Sequence, residues 1–248
     1  MPVFHPHRDD AGQSVILTKP STPTPLACWD DSEAIARVVP DGPMPERLNG
    51  LALVPFHSGE AAPWEAANAT QAQAPHHGGG SLSRGLEAPP LTLSPGKRAA
   101  AGAVVLEPDG RVWVIHPSNA FGGYRATFPK GKQEPGLSLE QTAIKETFEE
   151  AGLVIALTRW LIDVPRSSSV CRYFLARRIG GSPAAMGWES QAVSLVPIAR
   201  LDEVLHHPNV DLLPFLSFLG SCRLRRKGRG FPGCRLPGSC FVARCPWW

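Results

Sequence analysis

The chain has 248 residues, 43% of them hydrophobic and 19% charged, enough for one large domain, or a domain with a small companion, around a sizeable core. No run of about 18 apolar residues occurs, so no helical membrane span is expected. The net charge of +3 misleads: residues 219–248 hold seven basic residues and no acid, and the rest of the chain holds 18 basic and 22 acidic residues, so a nucleic-acid reading rests on that tail alone.

Residues 1–64 read as a small accessory region of unreadable role. Trp29, Asp30, Asp31, Ser32 and Glu33, followed by 34–39, predict a short helix with acidic residues at its start. Pro40, Asp41, Gly42 and Pro43 stop it, and 51–56 predicts one strand. No apolar stretch follows a basic start, so no secretory signal is expected. Cys28 and Cys171 are scattered, and no C-x-x-C pair occurs, as in a reduced, cytoplasmic protein. Residues 65–98, rich in Ala, Gln, His, Gly, Ser and Pro, read as a disordered linker, with His76 and His77 as solvated linker histidines.

Order signals strengthen at Ala99. Strands at 101–106 and 111–115 flank Pro108, Asp109 and Gly110, which predicts a hairpin. A glycine-rich loop leads to a helix over 138–151; strands follow near 157–163, 170–177 and 192–197, then a last helix over 199–206. The pattern is mixed α/β, with helices packed on a mixed sheet, and the domain spans 99–218. The tail after about Leu219 reads as a disordered extension, or as sequence outside its natural reading frame.

The chemistry concentrates between Gly131 and Leu153. Ser138 and Gln141 form a capping-box pattern, and Gly152 is a stop. With Glu146 at zero on a wheel of about 100° per residue, Glu150 falls near ~40° and Glu149 near ~300°. Ala151, Ile144, Leu137 and Phe148 lie on the opposite, apolar side. Like charges three and four residues apart repel on a helix. A fold has little reason to gather them unless a cation sits there, and clustered oxygens suit Mg²⁺ or Mn²⁺. The plainer reading is a solvated acidic face. It accounts for the amphipathic pattern but not for Phe128, Pro129, Lys130, Gly131 and Lys132 just before the helix.

The segment resembles the Nudix hydrolase signature: Gly, five residues, Glu, seven residues, Arg-Glu-aliphatic, one residue, Glu-Glu, one residue, Gly, aliphatic. Gly131, Glu146, Glu149, Glu150, Gly152 and Leu153 match in register; Leu137, Lys145 and Thr147 depart from it. The resemblance implies an α/β/α sandwich with a mixed sheet, plus a small N-terminal extension. It implies hydrolysis of a diphosphate linkage in a nucleoside diphosphate joined to another moiety, with Mg²⁺ (or Mn²⁺) held by Glu146, Glu149 and Glu150. One of these, or Glu189 in a later loop, would be the base.

Arg125, Lys130 and Lys132 flank the loop and suit phosphate contact, and Phe121, Tyr124 or Trp188 could stack a base. The Pro-Lys-Gly at 129–131 looks like that of hydrolases of dinucleoside polyphosphates or diphosphoinositol polyphosphates; ADP-ribose-type substrates stay open. Leu137 stands where the family's first Glu belongs, with Glu134 and Glu140 nearby. It motivates an alternative: a degenerate domain that binds a nucleotide or a protein partner without cleaving it. The expected partner is a small nucleotide-type molecule, not a membrane and not nucleic acid.

Overall fold

The computed structural model describes residues 2–56, 65 and 88–205. In chain order its elements are β1 (Val3–Arg8), β2 (Ser14–Leu17), α1 (Ala27–Asp30), β3 (Ala36–Val38), β4 (Arg47–Leu48), β5 (Leu51–Ala52), β6 (Arg98–Val105), β7 (Arg111–Pro117), β8 (Lys130–Lys132), α2 (Leu139–Ala151), β9 (Leu153–Pro165), β10 (Ser169–Gly181), β11 (Ser190–Pro197) and α3 (Leu201–Val204). The fold is mixed α/β, as the sequence pattern predicts. A four-stranded sheet has the order β8–β6–β10–β9, and a three-stranded sheet the order β3–β11–β7. The β6–β10 pair is parallel and the other pairs are antiparallel. The expected tail and His206 lie outside the described residues, as does most of the expected linker. No helix among the described residues is long and apolar enough to cross a membrane.

Strands buried on both faces read as continuous apolar runs, and β6 and β7 are of this kind. Ala101, Ala103 and Val105 of β6 join Trp113 and Ile115 of β7 in one cluster, together with Ala143, Ile144 and Ala151 of α2. The alternate residues Ala100, Val104, Val112 and Val114 lie in a second cluster with Phe128, Tyr173 and Leu201. This explains why the predicted hairpin is only partly made. The turn closes, with Glu107 N–H donating to Arg111 O at 2.9 Å, and Leu106 and Val112 form a single bridge. Beyond it the strands part into different sheets, because β6 finds a long parallel register with β10 and β7 a long antiparallel one with β11.

The N-terminal residues enter the same core. Trp29 is 1% exposed and Ala36 and Val38 are fully buried; the rings of Trp29 and Trp113 lie 6.1 Å apart. The helix predicted over 29–39 is therefore replaced by the four-residue α1 and by β3, whose Ala36 and Val38 alternate inward opposite Leu195 and Val193. Burial of alternate side chains outweighs a weak helical preference. The strand predicted over 51–56 shortens to Leu51–Ala52, paired with β4.

Two buried arginines fasten this segment to the sheets. Arg111 donates to the carbonyls of Cys28 (3.0 Å), Trp29 (2.6 Å) and Asp31 (3.1 Å). Carbonyls at a helix end lack intrahelical partners, and the guanidinium supplies them. Arg178 pairs with buried Glu107 at 2.7 Å and donates to the carbonyls of Ala52 and Leu48. The region that sequence sets apart as accessory thus shares buried surface and buried hydrogen bonds with the rest. Trp29→Ala is expected to cost about 3–5 kcal/mol. Thermal unfolding of the full chain checks this: the main transition moves down if Trp29 belongs to the common core, and stays put if residues 1–56 are a separate unit.

Candidate active site

The site starts at the ends of α2. Ser138 caps the helix: its Oγ accepts from Gln141 N–H at 3.2 Å, and Gln141 Oε1 accepts from Ser138 N–H at 2.9 Å. Gly152 ends it in the left-handed region (φ 66°), with its N–H on Phe148 O. That conformation favours glycine, and a Cβ there would also overlap Ser182 O.

Two of the three expected carboxylates turn inward. Glu146 and Glu150 are 9% and 8% exposed. Glu150 accepts the backbone N–H of Lys130 at 2.6 Å. The Glu146 carboxylate lies where a Cβ of residue 131 would be, so a side chain at Gly131 would displace that carboxylate. The solvated acidic face is therefore not what the helix presents here. Glu149 stands apart from the pair: its side chain is 42% exposed and bonds to Lys145 Nζ at 2.6 Å. Lys145 also reaches Glu134 at 3.1 Å. Burial alone would lower the Lys145 ammonium, but the bonds to Glu149 and Glu134 outweigh it and raise it. Leu137 is half-buried ahead of the helix, and its backbone bonds Glu134 O and the Gln133 side chain. Glu134, not Leu137, supplies the carboxylate that braces the helix from this loop.

The third carboxylate comes from far along the chain. Oxygens of Glu146, Glu150 and Glu189 lie within 4.8 Å of one another. Glu189 sits in the turn before β11. Its carbonyl accepts Ser118 N–H at 2.7 Å, and Gly187 N–H donates to Glu149 O at 2.7 Å, which ties the turn to the end of α2.

Burial pushes the Glu146 carboxyl up to about 8, against the pull of Lys145 and with the push of Glu149. Burial likewise holds Glu150 well above the carboxylate range, with Lys130 opposing. Glu189 is raised by loss of solvation, then by Asp10 and Glu149. Three hard oxygen donors converge with too little positive charge to balance them, which is the donor set a divalent cation satisfies.

The expected phosphate-contacting residues separate. Lys130 gives its backbone N–H to Glu150, and its Nζ lies 4.7 Å over the Tyr124 ring. Lys132 is exposed on β8. Arg125 lies in a different, polar depression beside buried His116, Arg37 and Asp202. Of the aromatic residues, Phe121 and Trp188 line an open cavity of about 190 Å³ together with Val15, Ser118, Asn119 and Glu189; Tyr124 packs under Lys130 instead. Val15 has no signal in the sequence, because its partners lie more than 100 residues away.

These charges fix a pH dependence. A raised carboxyl means the folded state holds protons that the unfolded state has released, so stability falls as pH rises from 4.5 through about 8. His116, lowered to about 3 by burial and then by Arg37, acts oppositely below 6.5. The clean window is therefore pH 6.5 to 8. There, without divalent cations, stability is expected to fall by up to about 1.4 kcal/mol per pH unit for each proton. Urea unfolding in chelator checks this; Glu146→Gln should flatten the slope, and a flat wild-type profile would mean the buried carboxylates ionise freely.

Residues 96–215 match the family model of the NUDIX domain. No curated protein matches the chain. Similar solved structures include a NUDIX hydrolase from Nitrosomonas europaea (22% identity, 55% of this chain and 76% of that one, TM-score 0.41). An ADP-ribose pyrophosphatase from Streptococcus suis is 17% identical over 51% of this chain and 92% of its own (TM-score 0.41). An Ap4A hydrolase of C. elegans is 17% identical over 52% and 98% (TM-score 0.41).

Proposed function

We propose, for a chain that belongs to the Nudix hydrolase family, that it cleaves a diphosphate linkage in a nucleoside diphosphate joined to another moiety, using Mg²⁺ or Mn²⁺ at Glu146, Glu150 and Glu189. The observation that carries this reading is the meeting of those three carboxylates within 4.8 Å, beside a cavity that shares Glu189. A divalent cation bound there would neutralise the diphosphate and make a bound water more acidic.

The residues of the chain have separable parts in the reaction. Lys130 N–H and Gly131 fix the rotamers of Glu150 and Glu146, which is the preorganisation a metal site needs. Glu189, the most exposed of the three carboxylates, is our candidate to take a proton from water entering from solvent, through the oxygen not turned to the cation. Glu149 lies within one turn of the cluster and joins it if its bond to Lys145 opens. Lys130, Lys132 and Arg125 remain the candidate phosphate contacts. Lys130 is the one beside the cluster, since its charge acts on both Glu146 and Glu150. The apolar cavity suits the base of a dinucleoside polyphosphate or a related substrate. We assign a cytoplasmic setting, in keeping with Cys28 and Cys171 lying unpaired among the described residues.

The test is hydrolysis with Mg²⁺ over a panel of diadenosine tetraphosphate, ADP-ribose, nucleotide sugars and nucleoside triphosphates, read as release of nucleoside monophosphate or phosphate. Glu146→Gln, Glu150→Gln and Glu189→Gln should each cut turnover by at least about 100-fold, with partial rescue at higher Mg²⁺. Glu140→Gln on the first turn, off the carboxylate cluster, should stay within about twofold. Equal losses at Glu140 and Glu150 would remove the metal-site assignment, and a silent panel would remove the activity.

A further inference from the structure

The β1–β2 hairpin lies outside residues 96–215, yet it touches both loops that form the cavity next to Glu189. It is anchored at three points. His5 of β1 is 4% exposed, and its Nε2 bonds Ser190 O at 3.1 Å, while its Nδ1 accepts His7 N–H at 3.0 Å. The Ser190 carbonyl makes Nε2 the donor, and Nδ1 also lies 3.3 Å from His7 O. At the hairpin turn, Asp10 Oδ1 accepts the indole N–H of Trp188 at 3.0 Å. After β2, Thr18 donates its N–H and hydroxyl to Asn119 Oδ1, and Asn119 Nδ2 donates to Ile16 O at 2.8 Å.

The loop held by Asn119 has a strained backbone. Asn119 and Ala120 both have left-handed backbone angles, φ 55° and 53°. Asparagine tolerates this region, but alanine there costs roughly 1–2 kcal/mol. Such conformations persist where surrounding contacts over-determine them, and they cluster at ligand sites. Here the over-determining contacts come from β2. The loop presents Phe121, which is 80% exposed, at the mouth of the cavity.

The cavity wall is chemically one-sided. Val15, Phe121 and Trp188 are apolar surfaces, while the polar groups in the lining are engaged elsewhere. The Ser118 hydroxyl donates to Trp188 O at 2.7 Å, and the Asn119 amide is held by the hairpin. Glu189 is the lining residue that faces the carboxylate cluster. At about 190 Å³ the space is smaller than the ~300–1,000 Å³ that takes a whole small ligand, so it receives one group of a larger substrate.

We propose that the N-terminal hairpin is the specificity wall of this enzyme: Val15 closes a slot for one flat aromatic ring, a nucleobase, and Asp10 is the positioning residue that holds Trp188 as its other side. This rests on the function proposed above, because it takes the phosphates to lie toward Glu189. Binding by stacking, with the Ser118 and Asn119 side chains already engaged, grips any base and discriminates weakly among them.

The test uses the full chain and AMP, titrated by calorimetry, with GMP alongside. Asp10→Ala should weaken AMP binding about tenfold, the scale of one lost hydrogen bond, with an unchanged thermal midpoint because Asp10 is exposed. Asp10→Asn keeps the Oδ1 acceptor and should restore binding. AMP and GMP should differ by less than about tenfold. On whichever nucleotide the panel shows to be cleaved, Asp10→Ala should raise KM and leave kcat within about twofold. Wild-type protein that does not bind AMP, equal AMP affinity in Asp10→Ala, or a fall in kcat at constant KM would each overturn the proposal. Intact AMP binding with its loss in Asp10→Ala, but no hydrolysis by wild type, would overturn the proposed activity and leave the wall in place.

Discussion

The site depends on one close approach, between the backbone of β8 and the inward side of α2. The Glu146 carboxylate fills the place of a side chain on Gly131, and Glu150 is held by the next peptide N–H back along the strand. Because β8 is hydrogen-bonded to β6, with Lys130, Gly131 and Lys132 opposite Gly102, Ala101 and Ala100, the carboxylates are positioned by the sheet itself and not by a loop. A side chain at 131 would displace the Glu146 carboxylate, and Glu146 and Glu150 would lose their shared orientation.

This arrangement sets function against stability. Two carboxylates that are buried and close together, with Lys130 and Lys145 as the nearby cations, prefer to be neutral, which is why both are held above the usual range. Apolar replacements would suit the fold better. The capping box, the Gly152 stop and the packing of Ala143, Ile144 and Ala151 offset what the carboxylates cost and keep α2 in place. Lys145 adds a brace between Glu134 and Glu149.

The N-terminal segment couples to the site through the sheets. Arg111 and Arg178 hold 27–31 and 48–52 by their backbone carbonyls, and β3 extends the sheet that contains β11. The turn bearing Glu189 leads directly into β11, and Ser190 O is the acceptor for His5. Residues remote in sequence from the helix thus set where the third carboxylate stands.

What the sequence determined by itself was local or periodic. The capping box at Ser138, the Gly152 stop, the spacing of Glu146 and Glu150 and the apolar runs of β6 and β7 follow from chemistry within a few residues. The family signature is a helix with fixed ends, which a pattern can carry. The tertiary structure decided the rest. It took Glu149 out of the cluster and put Glu189 in, because burial against β8 and the tether from Ser118 select among acids that a helical wheel treats alike. Arg125 went to the depression beside His116, away from the carboxylates. The same global packing turned 36–38 from an expected helix into a strand and split the expected β6–β7 hairpin between two sheets. Val15, Asp10 and the left-handed loop at Asn119 left no trace in the sequence: their meaning lies in hydrogen bonds that span 101 to 178 residues, and such contacts have no period to read.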